Sequence, residues 1–268
     1  MGITVAIRTL NEEHNIHDCL EALQKQELKP AAILVVDNQS TDKTIEIAKR
    51  FSNTLPIEII INNVKGFANG LNLAAENAGS EYIVYISADC KPDKKWLKHL
   101  YETAQLKHAH VVQGTEILSP SNEVHDALQR NWPPKTGSKK IRYFNNTNTL
   151  YHLPTLKLHL PFKSEIGGED TLMSIDYRNK KLKAIQSYDA KVRHNKYSNI
   201  EDFKRHCRQH AKVCVKLMTM KPFYPRIYLH SYYWSLHDMI LFIRYRDRKF
   251  LIIGYWRFVA TLQGMLLR

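Results

Sequence analysis

Short apolar, β-branched runs alternate with stretches whose apolar positions recur at helical spacing through the first part of the chain. Ile3 to Ile7, Ala32 to Val36, Ile57 to Ile61, Tyr82 to Ile86 and His110 to Gln113 read as buried strands. Between the first two, Ile16, Cys19, Leu20 and Leu23 mark a helix, with Asn11 as its cap and Glu12 and Glu13 near the positive end of its dipole. A Ser/Thr/Asp turn opens a second helix carrying Ile45, Ala48 and Phe51, and Phe67 to Ala78 and Asp93 to about Leu106 read as a third and a fourth. Strand and helix in strict alternation predict an α/β fold, a mostly parallel sheet with helices on both faces.

After Gly114 the rhythm breaks. Residues 115 to 142 contain Pro120, Trp132-Pro133-Pro134, Gly137 and the basic cluster Lys139, Lys140 and Arg142, and read as a long functional or mobile loop. Order returns near Tyr143, with a helix from about Glu169 to Asn179 and short strands around Ala184 to Ser187 and Lys191 to Arg193. From Asn199 onward the pattern is helical, punctuated by Pro222 and Pro225, and predicts a C-terminal helical appendage.

Polar clusters follow the strand runs: Thr9-Leu10-Asn11-Glu12, Asp37-Asn38-Gln39-Ser40, Lys65-Gly66 and Ser87-Ala88-Asp89. The carboxyl ends of parallel strands share one edge of the sheet, so these clusters should meet at one crevice, where such sheets bind nucleotides. Asp89 suits a hard divalent cation whose remaining ligands are substrate phosphates, or it merely ends a strand. Asp37 can accept hydrogen bonds from a base or ribose, or cap the next helix. Glu169 and Asp170 open a helix, where acids complement the dipole; an acid so placed can also take a proton from an acceptor hydroxyl. His194, one histidine among 13, reads by itself as structural. His206, Cys207, His210 and Cys214 lie on one helical segment, which cannot wrap a metal tetrahedrally, and read as helix faces.

Composition narrows the classes. Hydrophobic residues make up 44% of the 268, ample for a core, and 39 Lys/Arg against 26 Asp/Glu give +13. That charge favours phosphate-rich partners, and residues 201 to 268 supply 13 Lys/Arg against 4 Asp/Glu, +9 of the total. The 4 cysteines form no CxxC pair, which fits a reducing, cytosolic compartment. No signal peptide is visible at the N-terminus and no spanning segment anywhere. A nucleic-acid-binding module would spread its charge along an aromatic platform, whereas here the charge lies in an apolar tail. A nucleotidyltransferase would carry a glycine- and arginine-rich loop near the first strand, and none stands there.

Taken in order, five elements resemble the family 2 inverting glycosyltransferases of GT-A fold: Ile7-Arg8-Thr9-Leu10-Asn11-Glu12-Glu13; Val36-Asp37-Asn38-Gln39-Ser40-Thr41-Asp42-Lys43-Thr44; Gly66-Phe67-Ala68 with Asn72; Ser87-Ala88-Asp89; and Glu169-Asp170 with the later His194. The resemblance implies a nucleotide-sugar-binding half over 1–114, an acceptor-binding and catalytic half over 115–198, and a separate tail over 199–268. It implies that Thr9, Asn11, Glu12, Asp37 and Asn38 cradle base and ribose of a nucleotide sugar, most often a UDP-sugar. Lys65 and Gly66 would approach the donor, with Asn72 ordering that loop. Ser87, Ala88 and Asp89 occupy the place of the Asp-x-Asp motif, so Asp89 with His194 would hold Mg²⁺ or Mn²⁺ on the diphosphate. Asp170 would be the general base, with Glu169 beside it, and the acceptor a hydroxyl of a glycan or lipid-linked saccharide. The chain departs from the pattern at Ser87, where the first aspartate is usual, and at Arg8-Thr9-Leu10, where Pro-x-Tyr is common.

The tail alternates rings with cations: Tyr232, Tyr233 and Trp234 precede Arg244-Tyr245-Arg246-Asp247-Arg248-Lys249, then Phe250 to Trp256, Arg257 and Phe258. Such segments suit the interface of an anionic leaflet, so peripheral attachment to the cytoplasmic face of a membrane through 228–268 is an expectation. The other reading, helices packed on the catalytic domain, stays open.

Overall fold

The computed structural model describes residues 2–64, 66–119, 135–163, 168–196, 199–220, 252–256, 258–259 and 262–263. It divides into two compact units, residues 1–117 with 134–194, and 118–133 with 195–268.

In the first unit, strands β1 (Ile3–Thr9), β2 (Ala32–Asp37), β3 (Ile57–Ile61) and β4 (Tyr82–Ser87) lie parallel in the order β3-β2-β1-β4. The sheet continues through β8 (Asn148–His152), β6 (Val111–Leu118), β9 (Ala184–His194) and β5 (Cys90–Pro92), with β7 (Ser138–Lys140) on β9. Helices α1 (Ile16–Gln24), α2 (Thr44–Arg50), α3 (Phe67–Asn77) and α4 (Trp96–Lys107) connect the early strands, and α5 (Leu153–Lys157) and α6 (Glu169–Asn179) follow β8. The chain leaves β1 toward β2 and β3 on one side and returns to β4 on the other. That makes the carboxyl end of β1 a topological switch point, the place where open α/β sheets form their crevice.

The alternation of side chains along each strand builds two cores. On one face Val5, Ile7, Ile33, Val35, Val84 and Ile86 meet Leu20 and Leu23 of α1 and Trp96 and Leu97 of α4. On the other, Ala6, Leu34, Val36, Ile83 and Tyr85 meet Leu71, Ala74 and Ala75 of α3 and Met173 and Tyr177 of α6. Burial on both faces is why these strands read as unbroken apolar runs.

Several elements depart from the sequence expectation. Helix α1 is capped at Asn15; Asn11 has φ 56 and lies in the turn before it. Helix α4 starts at Trp96, since Asp93 closes a turn by accepting the Trp96 N–H at 2.9 Å. Strand β6 runs on to Leu118 and β7 forms at 138–140, both inside the stretch expected to be a loop. Ala184 to His194 is one strand, because the Tyr188 N–H finds the Gly137 carbonyl at 2.8 Å where the sequence suggests a break. Pro120 and Trp132-Pro133-Pro134 lie outside the described residues.

In the second unit α7 spans Ile200–Met220, and the Lys204 ammonium lies 3.7 Å from the centre of the Trp256 ring. Residues 252–256, 258–259 and 262–263 are helical, while the whole aromatic and basic stretch from 232 to 250 lies outside the described residues. Among those described, no helix is long and apolar enough to cross a membrane.

Candidate active site

The loops after β1 and β2 are joined by reciprocal hydrogen bonds. The Asn11, Glu12 and Glu13 N–H groups donate to Ser40 Oγ (2.9 Å), Thr44 Oγ1 (2.7 Å) and Asp42 Oδ2 (3.0 Å). In return the Thr41 and Lys43 N–H groups donate to Asn11 Oδ1 (2.9 Å) and Glu13 Oε2 (3.1 Å). Short polar side chains compete well for backbone groups in turns, and here that tendency fixes two loops from different strands against each other.

Asp37 anchors the junction. Its carboxylate is 1% exposed and accepts from Thr9 Oγ1 at 2.8 Å, the Ser40 N–H at 2.8 Å and the Ser40 hydroxyl. Asn38 ties three strand ends together, donating its N–H to the Thr9 carbonyl at 2.9 Å and accepting from Asn62 Nδ2 at 2.7 Å. Glu12 is half-buried; desolvation raises its carboxyl pKa against the hydrogen bond from Asn15, and Asp89 and Asp42 add to the rise. Gly66 caps α3 at φ 138, a backbone conformation that suits glycine. Lys65 lies outside the described residues. Asn72 sits apart from these loops, pairing both ways with the backbone of Phe162, at 3.1 Å and 2.7 Å.

A second cluster forms beyond β4. Ser87 ends the strand, its N–H donating to the Thr147 carbonyl at 3.1 Å, and Ala88 is buried. Asp89 Oδ2 lies 3.1 Å from His194 Nε2, and His194 Nδ1 lies 2.8 Å from Glu116 Oε2. Register explains the meeting, because Cys90 of β5 stands opposite His194 of β9. Burial would lower the pKa of the imidazole, but the hydrogen bonds to Asp89 and Glu116 outweigh it and hold the value at about 9. Asp89, Cys90 and His194 present ligand atoms within 4.8 Å of one another. Burial pushes the Cys90 thiol well above its usual value, which leaves the Asp89 carboxylate as the ready donor, while His194, protonated as it pairs with two carboxylates, would release its Nε2 proton to a cation. A histidine whose second nitrogen donates to a carboxylate is the usual arrangement around a bound metal, and this pair fits a divalent cation that takes its other ligands from phosphate.

Helix α6 begins at Glu169, with Gly168 at φ 85 before it. Asp170 Oδ1 accepts the Thr171 N–H at 2.6 Å. Desolvation, with the charge of Glu169 second, lifts the Asp170 carboxyl to about 6, against the hydrogen bonds from Thr171 and the charge of Arg8. Arg8, at the end of β1, links the clusters: burial lowers its pKa, and Glu169, Asp170 and Asp89 all oppose that fall. Its guanidinium carbon lies 4.9 Å from the centre of the Phe67 ring.

The folded chain therefore gathers Thr9, Asn11, Glu12, Asp37 and Asn38 in one hydrogen-bonded edge, and Asp89, His194, Glu169 and Asp170 around a region that includes Arg8. Glu116 is absent from the sequence-based set. It lies where a loop is expected to begin, and only the continuation of β6 past Gln113 would have pointed to it. Arg8 appears in the sequence only as a departure from a family pattern; its position among acids is a product of the fold.

Comparison with known proteins bears on the family and the fold. Residues 4–160 match the sequence profile described as Glycosyl transferase family 2. Glycosyltransferase AglE of Haloferax volcanii is 34% identical over 150 residues, 54% of this chain and 45% of the relative. A dolichyl N-acetyl-alpha-D-glucosaminyl phosphate 3-beta-D-2,3-diacetamido-2,3-dideoxy-beta-D-glucuronosyltransferase of Methanococcus voltae is 32% identical over 108 residues, covering 38% of this chain and 34% of its own. The matched stretch thus spans less than half the length of these curated relatives. The structure of S. aureus TarS 1-349 in complex with UDP-GlcNAc superposes with TM-score 0.59 at 21% identity, over 81% of this chain and 67% of that one. Mannosyltransferase PcManGT from Pyrobaculum calidifontis, in complex with GDP-Man and Mn²⁺, does so with TM-score 0.63 at 18% identity, over 98% and 73%. The fold is therefore GT-A, and the chain belongs to glycosyl transferase family 2.

Proposed function

We propose that this chain transfers a sugar from a nucleoside diphosphate donor, most simply a UDP-sugar, to a hydroxyl of a glycan or lipid-linked saccharide, inverting the anomeric carbon. The observation that carries the reading is Asp170: a buried carboxyl beside Glu169, shifted to about 6, whose field and that of Asp89 both reach Arg8. A base with a pKa just below neutrality is ionised at working pH yet basic enough to accept a proton. In the proposed reaction the acceptor hydroxyl gives its proton to Asp170 as its oxygen bonds to the anomeric carbon. The bond from that carbon to the diphosphate breaks on the opposite side, and the bonding pair leaves with the nucleotide. Glu169 keeps Asp170 from losing its proton too easily, and the edge formed by Thr9, Asn11, Glu12, Asp37 and Asn38 seats base and ribose. Gly66 shapes the approach to the donor with Lys65 beside it in sequence, Asn72 holds the Phe162 backbone, and the turn Ser87-Ala88 leads into Asp89. Asp89 and His194 are the residues that would hold Mg²⁺ or Mn²⁺, which when bound would offset negative charge on the leaving diphosphate. The UDP-GlcNAc and GDP-Man with Mn²⁺ of the structural neighbours support this donor class. The dolichyl phosphate-linked substrate named for the Methanococcus voltae relative supports a lipid-linked acceptor.

Peripheral membrane contact belongs to the same proposal. Ile252, Tyr255, Phe258 and Leu262 are all exposed at helical spacing, an apolar stripe of the kind that lies in a bilayer interface. Flotation with anionic vesicles tests it; full-length protein that stays in the soluble fraction removes the membrane part. For the reaction, turnover of a nucleotide-sugar panel with Mn²⁺ should be seen for the wild type and lost in Asp170→Asn, which still binds nucleotide. Turnover near the wild-type rate in that variant would refute the assignment of the base.

A further inference from the structure

Arg8 is held in an unusual state for a buried cation. Its Nε and Nη1 are sealed from solvent with no hydrogen-bond partner among the described residues, and its contact is the face of Phe67. A buried charged donor left unpaired costs more than a surface one can recover, and native structures rarely keep such groups without a use for them. The strand register sharpens the point. Arg8 stands directly beside Ser87, a hydroxyl where the family pattern has an aspartate, while Arg8 itself replaces a proline. The chain has therefore added a cation and withdrawn an anion at adjacent positions of the switch point.

The edge of a guanidinium formed by Nε and an Nη takes a carboxylate or a phosphate through two parallel hydrogen bonds. The residues suited to the donor diphosphate, Asp89 and His194, belong to β5 and β9 and their surroundings, with Asp89 near enough for its charge to act on Arg8, so binding of the bare nucleotide is the control that separates diphosphate from sugar. Arg8 lies on the sheet face that carries α3 and α6. Gly70 of α3 lies alongside it, where a Cβ would stand in ordinary contact, 3.7 Å from Arg8 Cδ. Asp170 opens α6, and a sugar whose anomeric carbon receives the hydroxyl activated by Asp170 must sit close by. The Phe67 ring over the guanidinium is 63% exposed, so a ligand can reach this side chain by displacing a ring that is itself only loosely covered.

Resting on the donor reading above, we infer that Arg8 recognises a carboxylate on the transferred sugar, so that the donor is a nucleoside diphosphate ester of a uronic acid rather than of a neutral hexose. An anionic group on the acceptor would meet the same guanidinium chemistry, and the experiment separates the two sources.

Calorimetric titration of the full chain with Mn²⁺ uses matched pairs, UDP-glucuronate against UDP-glucose and GDP-mannuronate against GDP-mannose, with UDP and GDP alone as references. The wild type should bind the acid sugar of the accepted nucleotide at least about tenfold more tightly than its neutral partner. Arg8→Met should bring that ratio to about one while binding the bare nucleotide as before. Arg8→Lys should keep part of the ratio, because an ammonium lacks the fork. Arg8→Met also removes the cation that offsets Glu169, Asp170 and Asp89, so its melting temperature is read beside that of Arg8→Lys, which keeps the charge and should stay closer to the wild type. Nucleotide binding with no preference for the acid sugar overturns the inference and turns attention to the acceptor; a preference that survives Arg8→Met overturns it as well. Failure of every nucleotide and nucleotide sugar to bind would instead bring down the donor reading on which it rests.

Discussion

His194 and Asp89, 105 residues apart in sequence, meet at 3.1 Å through Nε2 and Oδ2, with Glu116 on the other ring nitrogen at 2.8 Å. The antiparallel register of β5 on β9 sets the first contact, and the extension of β6 sets the second. Glu116 is thus a positioning residue, fixing ring orientation from behind. Glu116→Gln should lower the affinity for Mn²⁺ in the presence of nucleoside diphosphate by about 10–100-fold. Calorimetric titration of Mn²⁺ reads it, and Asp89→Ala should remove the response altogether. Wild-type affinity in Glu116→Gln would show that the ring needs no such support.

Asp170 predicts the acid limb of the pH profile. A base works only when ionised, so with its pKa raised to about 6 the proton stays on in more acidic solution. There kcat/KM should fall about tenfold per pH unit. Glu169 is the second cause of the rise, after burial. Glu169→Gln should therefore move the limb to lower pH, because removing a neighbouring negative charge makes the Asp170 proton easier to lose. A limb that stays in place would mean that Glu169 does not set the basicity of Asp170.

The four parallel strands and α3 can be read from sequence because burial on both faces demands unbroken β-branched runs, and the ends of those strands coincide with polar clusters. Beyond Gly114 the signal fails for a physical reason. Strand β8, Asn148–His152, is buried but begins with Asn148 and Thr149, polar residues paid for by hydrogen bonds to Trp96 Nε1 at 2.7 Å and to the Asn145 carbonyl. Strand β5 is three residues long and ends in Pro92. Hydrophobic periodicity cannot mark strands whose interior carries polar side chains satisfied by hydrogen bonds. The same holds at the site: Asp37, Asp89 and Asp170 stand at element ends and can be named from sequence, whereas the role of Glu116 and the burial of Arg8 among acids depend on which elements become neighbours.

Gly114 makes the antiparallel half of the sheet sensitive to one methyl group. A Cβ there would lie 2.5 Å from the Ala190 carbonyl oxygen and from the Asn148 side-chain amide. The first is backbone and cannot swing aside, so Gly114→Ala should destabilise the protein by about 1–3 kcal/mol, as overpacked sites do. Chemical denaturation measures this. Because β6 carries Glu116 and β9 carries His194, the variant should also bind Mn²⁺ less tightly. Unchanged stability would mean that the strands part easily at this point.

Asp37 separates two ways in which a buried acid can serve a nucleotide site. Its oxygens are engaged by Thr9 Oγ1 and by both the N–H and hydroxyl of Ser40, so the fold already uses the carboxylate to fix the edge on which base and ribose are proposed to sit. Asp37→Asn places an amide N–H₂ against groups that can only donate or must reorient, and should cost about 1–3 kcal/mol of stability together with nucleotide affinity. Ser40→Ala leaves the acid intact but removes one of its donors and the acceptor of the Asn11 N–H. If Asp37 acts by holding the loops, Ser40→Ala should weaken nucleotide binding in the same direction as Asp37→Asn and by a smaller factor, about 2–10-fold for one neutral hydrogen bond. If the carboxylate instead turns to the ribose, Ser40→Ala should leave affinity unchanged or improve it, since a competing donor is gone. Titration of both variants with UDP decides between the two.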